Sequence, residues 1–219
     1  FLSNPTFFKT NPGRYKNNLA LKYDLSFVEK NKYFKKILFD ILGTKYEIIL
    51  KKFVVAVPES WVPKWLKRKV KKQLIPNLGN YLLPKFRECS YFRGIDYHMD
   101  LLDQKNDSSK YKYITLYVYL NQVSKKMSPI NILEKSHESG VQKFPHNLKK
   151  YTASKIKMDN KRILKNRLLV GNPGDFFVWS CFNLHGTKPN LHNEPRISIR
   201  YTIRKKNESK SKTLINQLY

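Results

Sequence analysis

The 219-residue chain can bury a sizeable core, because 41% of its residues are hydrophobic and 14% are aromatic. It has no run approaching the roughly 18 apolar residues of a membrane span, and its first residues lack the charged, apolar and small-residue blocks of a secretory signal. We therefore expect one cytoplasmic globular domain over residues 1–219, in which residues 1–84 support a core at 85–204 and residues 205–219 form a polar tail.

A formal charge of +27 could draw nucleic acid, anionic lipid or an anionic small molecule to the surface. The excess comes from Lys far more than from Arg, and Asn, Ile, Tyr and Phe are also plentiful, which is typical of an AT-rich coding sequence. Arg is the better side chain for paired hydrogen bonds to phosphate. We therefore expect a mainly compositional charge, with an anionic small substrate as the second interpretation and nucleic-acid binding as the third.

The two cysteines, Cys89 and Cys181, are far apart in the sequence and show no CxxC spacing. Neither a disulfide framework nor a thiolate zinc site is indicated. We expect two buried free thiols.

Two amphipathic segments in the first third of the chain are predicted helices. Residues 26–43 carry one apolar stripe, with Ser26 and Glu29 at capping-box spacing and Gly43 at the end. Residues 60–79 have an apolar face and a strongly basic face. A helix of this kind can lie on a membrane or bind acidic partners, but it is more often a surface helix with a solvated side.

Strand patterns dominate the rest of the chain. One or two strands are predicted over residues 46–57, and residues 111–120 consist almost wholly of strand formers. The pattern of residues 167–179 predicts two strands joined by a Gly-Asn-Pro-Gly-Asp turn. Residues 196–204 alternate strictly between apolar and polar side chains. The sequence therefore predicts a mainly β fold, a sandwich or barrel, with flanking helices.

The segment GIDYHMDLLD, residues 94–103, has the apolar content of a buried strand but contains His98 and Asp100. Side chains two apart in a strand point the same way, so the two can bind one metal ion from a single edge. One more histidine would complete the facial triad of Fe(II) oxygenases, which leaves positions open for a co-substrate and dioxygen. An HxD pair alone is a weak signal.

The candidates for the third ligand are His137, His146, His185 and His192. His185 stands out because it follows an apolar strand and precedes Arg196 by eleven residues. A hairpin of that length can return the guanidinium close to the metal, where it would hold a carboxylate by paired hydrogen bonds.

These motifs resemble the phytanoyl-CoA dioxygenase family of Fe(II)/2-oxoglutarate oxygenases, over about residues 85–204. The similar segments are HMD, SPINILEKSHESG, GNPGDFFVW and HGTKPNLHNEPR, in that order. The resemblance implies a double-stranded β-helix, a jelly-roll or cupin-like fold, with helices on its outside.

Carried over by position, the resemblance implies that the iron ligands are His98, Asp100 and His185. Arg196 would hold the distal carboxylate of the co-substrate 2-oxoglutarate. Thr187 matches a hydroxyl position that assists this contact in the family, and Ser198 completes an Arg-x-Ser pattern of related oxygenases. An upstream co-substrate contact has no unique match, since Lys85, Arg87 and Arg93 compete for it.

The implied reaction is hydroxylation of an unactivated C–H bond in a small metabolite, with release of succinate and carbon dioxide. That the metabolite is anionic is a further expectation. Halogenating relatives have a small residue at the position of Asp100, so hydroxylation is favoured over halogenation. Neither the substrate nor the oligomeric state follows from these motifs.

Two other functions compete with this hypothesis. One is a non-catalytic basic module whose helix at 60–79 docks on nucleic acid or anionic membrane. The other is a cupin-like metalloenzyme that uses the same triad without 2-oxoglutarate.

Arg200 shares the face of Arg196 and is expected to form a salt bridge, with an anionic substrate group as its alternative partner. Tyr117 and Thr115 either line a pocket or pack in the core.

Overall fold

The structure is a computed structural model, and it describes residue 20 and residues 22–62, 64–69, 94–100, 113–140 and 146–206. Within these ranges the chain forms ten strands. Their bounds are Tyr46–Ala56 (β1), Ile95–His98 (β2), Tyr113–Tyr119 (β3), Ile130–Leu133 (β4), Leu148–Lys150 (β5), Lys155–Met158 (β6), Arg162–Leu169 (β7), Phe176–Ser180 (β8), His185–Thr187 (β9) and Arg196–Lys205 (β10).

The strands form two antiparallel sheets, one with the order β1-β10-β3-β8 and the other with the order β2-β9-β4-β7-β6-β5. The chain passes back and forth between them, since β8 and β10 lie in the four-stranded sheet while β9 between them lies in the six-stranded one. This winding confirms the expected mainly β, jelly-roll architecture with flanking helices.

An aromatic and aliphatic layer joins the two sheets. Side chains of the four-stranded sheet meet side chains of the six-stranded sheet in one buried cluster, whose members include Tyr117, Tyr119, Trp179, Ile130, Ile132 and Leu169. The sheets therefore face each other across a shared interior.

Two helices cover the outer face of the four-stranded sheet. They are α1 (Ser26–Glu29) and α2 (Lys32–Leu42). Their buried side chains pack with the apolar residues of β3 and β10, and the rings of Phe34 and Tyr201 meet edge-on at 5.6 Å. Phe34, Leu38 and Leu42 of the predicted apolar stripe therefore attach this segment to the sheet. Phe27 and Ile41 of the same stripe are exposed, so the stripe is confirmed only in part.

The single helix predicted over 26–43 is interrupted. Asn31 begins α2 as its cap, because its side chain accepts hydrogen bonds from the backbone N–H groups of Tyr33 and Phe34. Ser26 makes no side-chain cap to α1, so the predicted capping box is wrong, and Asp24 accepts from the Ser26 N–H at 2.8 Å instead. Gly43 ends α2 as predicted, with φ of 79°.

The two faces of β10 point into different parts of the molecule, one under the helices and one between the two sheets. Ile199, Tyr201 and Ile203 belong to the cluster under the helices. Arg196 and Arg200, on the opposite face of the strand, therefore point into the space between the sheets. The interior of the β-helix thus carries buried positive charge on one wall.

The predicted basic helix at 60–79 is described only in part. Its first residues belong to the short 3-10 helix Glu59–Trp61, and Lys64–Lys69 form α3. Residues 63 and 70–79 lie outside the described residues, as do Cys89, Lys85, Arg87 and Arg93. Cys181 is a buried free thiol, as expected. Among the described helices, none has the length and apolar character needed to cross a membrane.

Candidate metal centre

Three predicted ligands meet where the short strands β2 and β9 pair. His98 ends β2, Asp100 follows two residues later, and His185 begins β9 directly opposite His98. The two imidazole rings are 4.3 Å apart, and one nitrogen or oxygen from each of the three residues lies within 4.8 Å of the others. All three side chains are buried.

Glycine permits the close approach of the two strands. A Cβ atom on Gly186 would lie 2.5 Å from the carbonyl oxygen of Ile95, a separation that real Cβ atoms do not show. Gly94 adopts φ of 82° and faces the carbonyl of Thr187 in the same way. These two positions therefore require glycine for His185 to stand beside His98.

Backbone carbonyls orient both histidines. The Nδ1 of His98 lies 2.8 Å from the Asp96 carbonyl oxygen, and the Nδ1 of His185 lies 2.9 Å from that of Asn183. A carbonyl can only accept, so each Nδ1 carries the hydrogen and each Nε2 keeps a free lone pair. Burial lowers the pKa of His98 to about 3 and also lowers the pKa of His185, so both rings are neutral near pH 7.

Asp100 is held as an ionised carboxylate. Burial alone would raise the pKa of Asp100. The adjacent Arg200 guanidinium, the two histidines and the hydrogen bond from Thr115 together outweigh burial, and they hold this pKa well below its usual range. Its Oδ2 accepts a hydrogen bond from the Thr115 hydroxyl at 2.7 Å. Its Oδ1 is buried, lies 3.6 Å from His185 Nε2, and has no aligned hydrogen-bond donor in the described part of the chain.

This donor set fits a divalent metal ion. Two neutral imidazole nitrogens and one carboxylate oxygen on one side of an ion are the ligands of non-haem Fe(II) oxygenases. Asp100 Oδ1 faces His185 Nε2 at 3.6 Å, so it can bind an ion together with that nitrogen. Across the described ranges, no other trio of His, Cys, Asp and Glu side chains lies close enough to hold an ion.

The remaining histidines do not join this group. His137 Nδ1 lies 3.2 Å from the side-chain amide of Asn183, and His192 Nδ1 accepts from the backbone N–H of Glu194 at 3.1 Å. His146 is likewise outside the group. Among the four candidates for the third ligand, only His185 stands with His98 and Asp100.

The predicted co-substrate residues have contacts of different kinds. Arg196 is 3% exposed, donates from Nη1 to the Ser128 carbonyl, and has a buried Nε with no acceptor among the described residues. The Thr187 hydroxyl accepts from the Ile95 N–H at 3.1 Å, and the Ser198 hydroxyl donates to the Val54 carbonyl at 3.3 Å. Arg196 thus retains an unused donor, while both hydroxyls bind backbone.

Arg200 forms the salt bridge that its position led us to expect, but with a candidate metal ligand. Its Nη2 lies 2.7 Å from Asp100 Oδ1. The sequence did not identify Asp100 as the partner, because the two residues are a hundred positions apart and in different sheets.

Trp179 lines the same region and was not singled out from the sequence. Its ring lies 5.4 Å from that of His185 and stacks on Tyr117 at 5.3 Å. The sequence feature that could have identified Trp179 is its position in the strand that leads to His185. Trp179 and Tyr117 together make an aromatic wall beside the triad.

Comparison with known proteins identifies the fold. No protein-family model matches the chain, and no curated protein matches it in sequence. Among solved structures, the non-heme alpha ketoglutarate dependent epimerase SnoN from nogalamycin biosynthesis is 12% identical, with a TM-score of 0.52 over 86% of this chain and 59% of SnoN. Apo HygX from Streptomyces hygroscopicus is 11% identical, with a TM-score of 0.50 over 84% of this chain and 68% of HygX.

The chain is shorter than the structures that it matches. It spans less than two thirds of SnoN and 31% of EvdMO1, another of the solved structures with which it aligns. At these identities the likeness concerns the fold. The chain therefore shares its fold with SnoN, and its His-Asp-His cluster lies between the two sheets.

Proposed function

We propose that this protein is an Fe(II)- and 2-oxoglutarate-dependent oxygenase of the phytanoyl-CoA dioxygenase type, built as one domain over residues 1–219. It hydroxylates an unactivated C–H bond of a small metabolite and releases succinate and carbon dioxide. The observation that carries the proposal is the buried cluster of His98, Asp100 and His185, whose ligand atoms lie within 4.8 Å of one another.

The fold supports the same assignment. SnoN is an alpha ketoglutarate dependent enzyme, and alpha-ketoglutarate is another name for 2-oxoglutarate. Fold alone does not determine function, so the argument depends on the site that this chain places within the fold.

The triad residues have defined tasks in this proposal. Fe(II) would be held by Nε2 of both histidines and by Oδ1 of Asp100, and its chemistry is the activation of dioxygen coupled to oxidation of the keto acid. The Nδ1–H groups of His98 and His185 donate to backbone carbonyls and so fix the rings with Nε2 facing inward. The Thr115 hydroxyl donates to Oδ2 of Asp100 and so fixes the carboxylate with Oδ1 facing inward.

Arg196 is the proposed partner for the distal carboxylate of 2-oxoglutarate. A buried guanidinium with an unused Nε–H is suited to paired hydrogen bonds with a carboxylate. Thr187 and Ser198 would contribute at the edges of this subsite. The buried aromatic wall of Trp179 and Tyr117 would keep water away from the reacting C–H bond.

Succinate formation tests the proposal. Protein loaded with Fe(II) should convert 2-oxoglutarate to succinate in air, and a metabolite library should contain compounds that increase the rate. His185→Ala should abolish this turnover, whereas His192→Ala, a histidine outside the cluster, should retain it. A cupin-like enzyme that does not use 2-oxoglutarate would release no succinate, and that result would contradict the proposal.

A further inference from the structure

A second buried guanidinium stands beside the candidate metal centre. Arg196 and Arg200 lie four residues apart on the inward face of β10, about 13 Å along the strand. Arg196 reaches the Ser128 carbonyl, while Arg200 reaches Asp100. The two guanidinium groups therefore serve different parts of the interior, and one carboxylate of 2-oxoglutarate requires only one of them.

Arg200 has an unused edge for binding an anion. Its Nε and Nη2 are both buried, and neither has an aligned hydrogen-bond acceptor among the described residues. Nη2 lies 2.7 Å from Asp100 Oδ1 in an ion pair, so Nε is the donor of this edge that has no contact with a charged group among the described residues. These two nitrogens form one side of the planar guanidinium, the side that binds a carboxylate or phosphate through two parallel hydrogen bonds.

The neighbours of Arg200 add positive charge and an aromatic surface. Lys52 lies directly opposite Arg200 on β1, and Tyr117 lies directly opposite it on β3. Residues that are directly opposite across antiparallel strands share a face, so both point toward the same interior as Arg200. Tyr117 stacks on Trp179, which in turn neighbours His185. A molecule held at Arg200 would thus lie along the aromatic wall that leads to the triad.

Among the described residues beside the triad, the charges leave Arg200 short of a counterion once the proposed function is assumed. Asp100 is the carboxylate that faces Arg200, and a divalent metal at Oδ1 would take up its charge. The dianion 2-oxoglutarate would then offset the remaining charge of the metal centre and that of Arg196. A buried cation needs a partner of opposite charge, and among the described residues only Asp100 forms an ion pair with Arg200.

We propose that Arg200 binds an anionic group of the primary substrate, a carboxylate or a phosphate, through its Nε and Nη2 edge. The inference rests on the proposed function and assigns the substrate class of the same site. Arg200 thereby fixes one end of the substrate, and the aromatic wall directs the other end toward the metal. Neutral relatives of the substrate would lack this anchor.

Anion binding to the Ni(II)-loaded protein saturated with 2-oxoglutarate tests the proposal, with calorimetry as the readout. The probes are inorganic phosphate, acetate and the neutral isostere acetamide. Wild type should bind phosphate or acetate but not acetamide, and Arg200→Gln should weaken anion binding at least about tenfold. Arg200→Lys, which keeps the charge but loses the paired donors, should be intermediate. Arg167→Gln, which alters an exposed ion pair with Glu134, should match wild type.

The outcomes separate the two anion classes and the two proposals. Preference for acetate indicates a carboxylate-bearing substrate, and preference for phosphate indicates a phosphate-bearing one. Equal anion affinity in wild type and Arg200→Gln, or no anion binding in wild type, would overturn the assignment of Arg200. Loss of 2-oxoglutarate affinity in Arg200→Gln but not in Arg196→Gln would also overturn it. Failure of wild type to bind 2-oxoglutarate at all would instead count against the proposed function.

Discussion

The hydroxyl of Thr115 donates to Asp100 Oδ2 at 2.7 Å, and the other carboxylate oxygen, Oδ1, faces His185 Nε2 at 3.6 Å. Thr115 lies on β3 of the four-stranded sheet, whereas Asp100 follows β2 of the six-stranded sheet. The bond therefore ties the Asp100 carboxylate, through Oδ2, to the opposite wall of the β-helix. Groups of this kind orient metal ligands without touching the ion.

Replacing Thr115 by Val should weaken metal binding. The substitution keeps the shape of the side chain and removes the donor, so the carboxylate loses its fixed orientation. We expect the affinity for Mn(II) to fall by about tenfold or more. Thr115→Ser keeps the hydroxyl and serves as the control with an affinity close to wild type. Equal Mn(II) affinities in Thr115→Val and wild type would show that the hydroxyl does not position Asp100.

Removing the Asp100 carboxylate should destabilise the protein when metal is chelated. Asp100→Ala leaves the Arg200 guanidinium, whose side chain is only 12% exposed, without its ion-pair partner. Losing one partner of a buried pair costs about 3–5 kcal/mol of unfolding free energy. The double variant Asp100→Ala/Arg200→Met should recover part of this loss, because no buried charge then remains unpaired. Urea unfolding with EDTA present checks both values, and a double variant no more stable than Asp100→Ala contradicts the prediction.

The stability of the metal-free protein should fall as the pH is lowered below about 6.5. Burial, followed by the nearby His185, depresses the pKa of His98 to about 3, below the value of the unfolded chain. Between these two pKa values the unfolded state binds more protons, so acid favours unfolding throughout that window. His98 alone contributes a slope of up to about 1.4 kcal/mol per pH unit. The stabilisation is therefore fully present above the window and is lost as the pH falls toward about 3.

Urea midpoints measured with EDTA between about pH 7 and about pH 5 test this dependence. His98→Gln should show a shallower slope than wild type, because one of the two depressed histidines is gone. His192→Gln provides the control, since His192 lies outside the cluster. Identical slopes in wild type and His98→Gln would show that His98 titrates normally in the folded protein.

Gly186→Ala should damage the metal centre. The added methyl group would meet the Ile95 carbonyl at 2.5 Å, so β9 must move away from β2 and carry His185 with it. We expect Mn(II) affinity to fall by at least about tenfold. Gly171→Ala is the matched control, because its methyl group would meet the Asp175 side chain, which can move, rather than backbone. A Gly186→Ala variant that binds Mn(II) like Gly171→Ala would contradict the close approach of the two strands.

The fold class and the triad could be predicted because their signals are local or carried by short motifs. The strict alternation of 196–204 gave both the strand and its two faces, and the spacing of His98 and Asp100 gave two ligands on one edge. The apolar strand before His185 and the position of Arg196 eleven residues later then selected His185 from four candidates. The hairpin expected between these two residues is wrong, because His185 lies on β9 of the six-stranded sheet and Arg196 lies on β10 of the four-stranded sheet.

The missed features have different causes. Strands β5 and β6 are only three and four residues long and are rich in Lys, so they give a weak strand signal. The break in the predicted helix depends on Asn31, whose capping role competes with a continuous apolar stripe. The partnership of Arg200 with Asp100 joins two sheets, and no sequence period encodes it.

Anaerobic titration of the protein with Fe(II) and 2-oxoglutarate tests the central claim most directly. When the keto acid chelates Fe(II) in a His-Asp-His site, a visible charge-transfer band appears without any need for substrate or oxygen. The account predicts this band in wild type with one Fe(II) per chain, its loss in His185→Ala, and its retention in His192→Ala. Absence of the band from iron-loaded wild type, or its persistence in His185→Ala, would contradict the account.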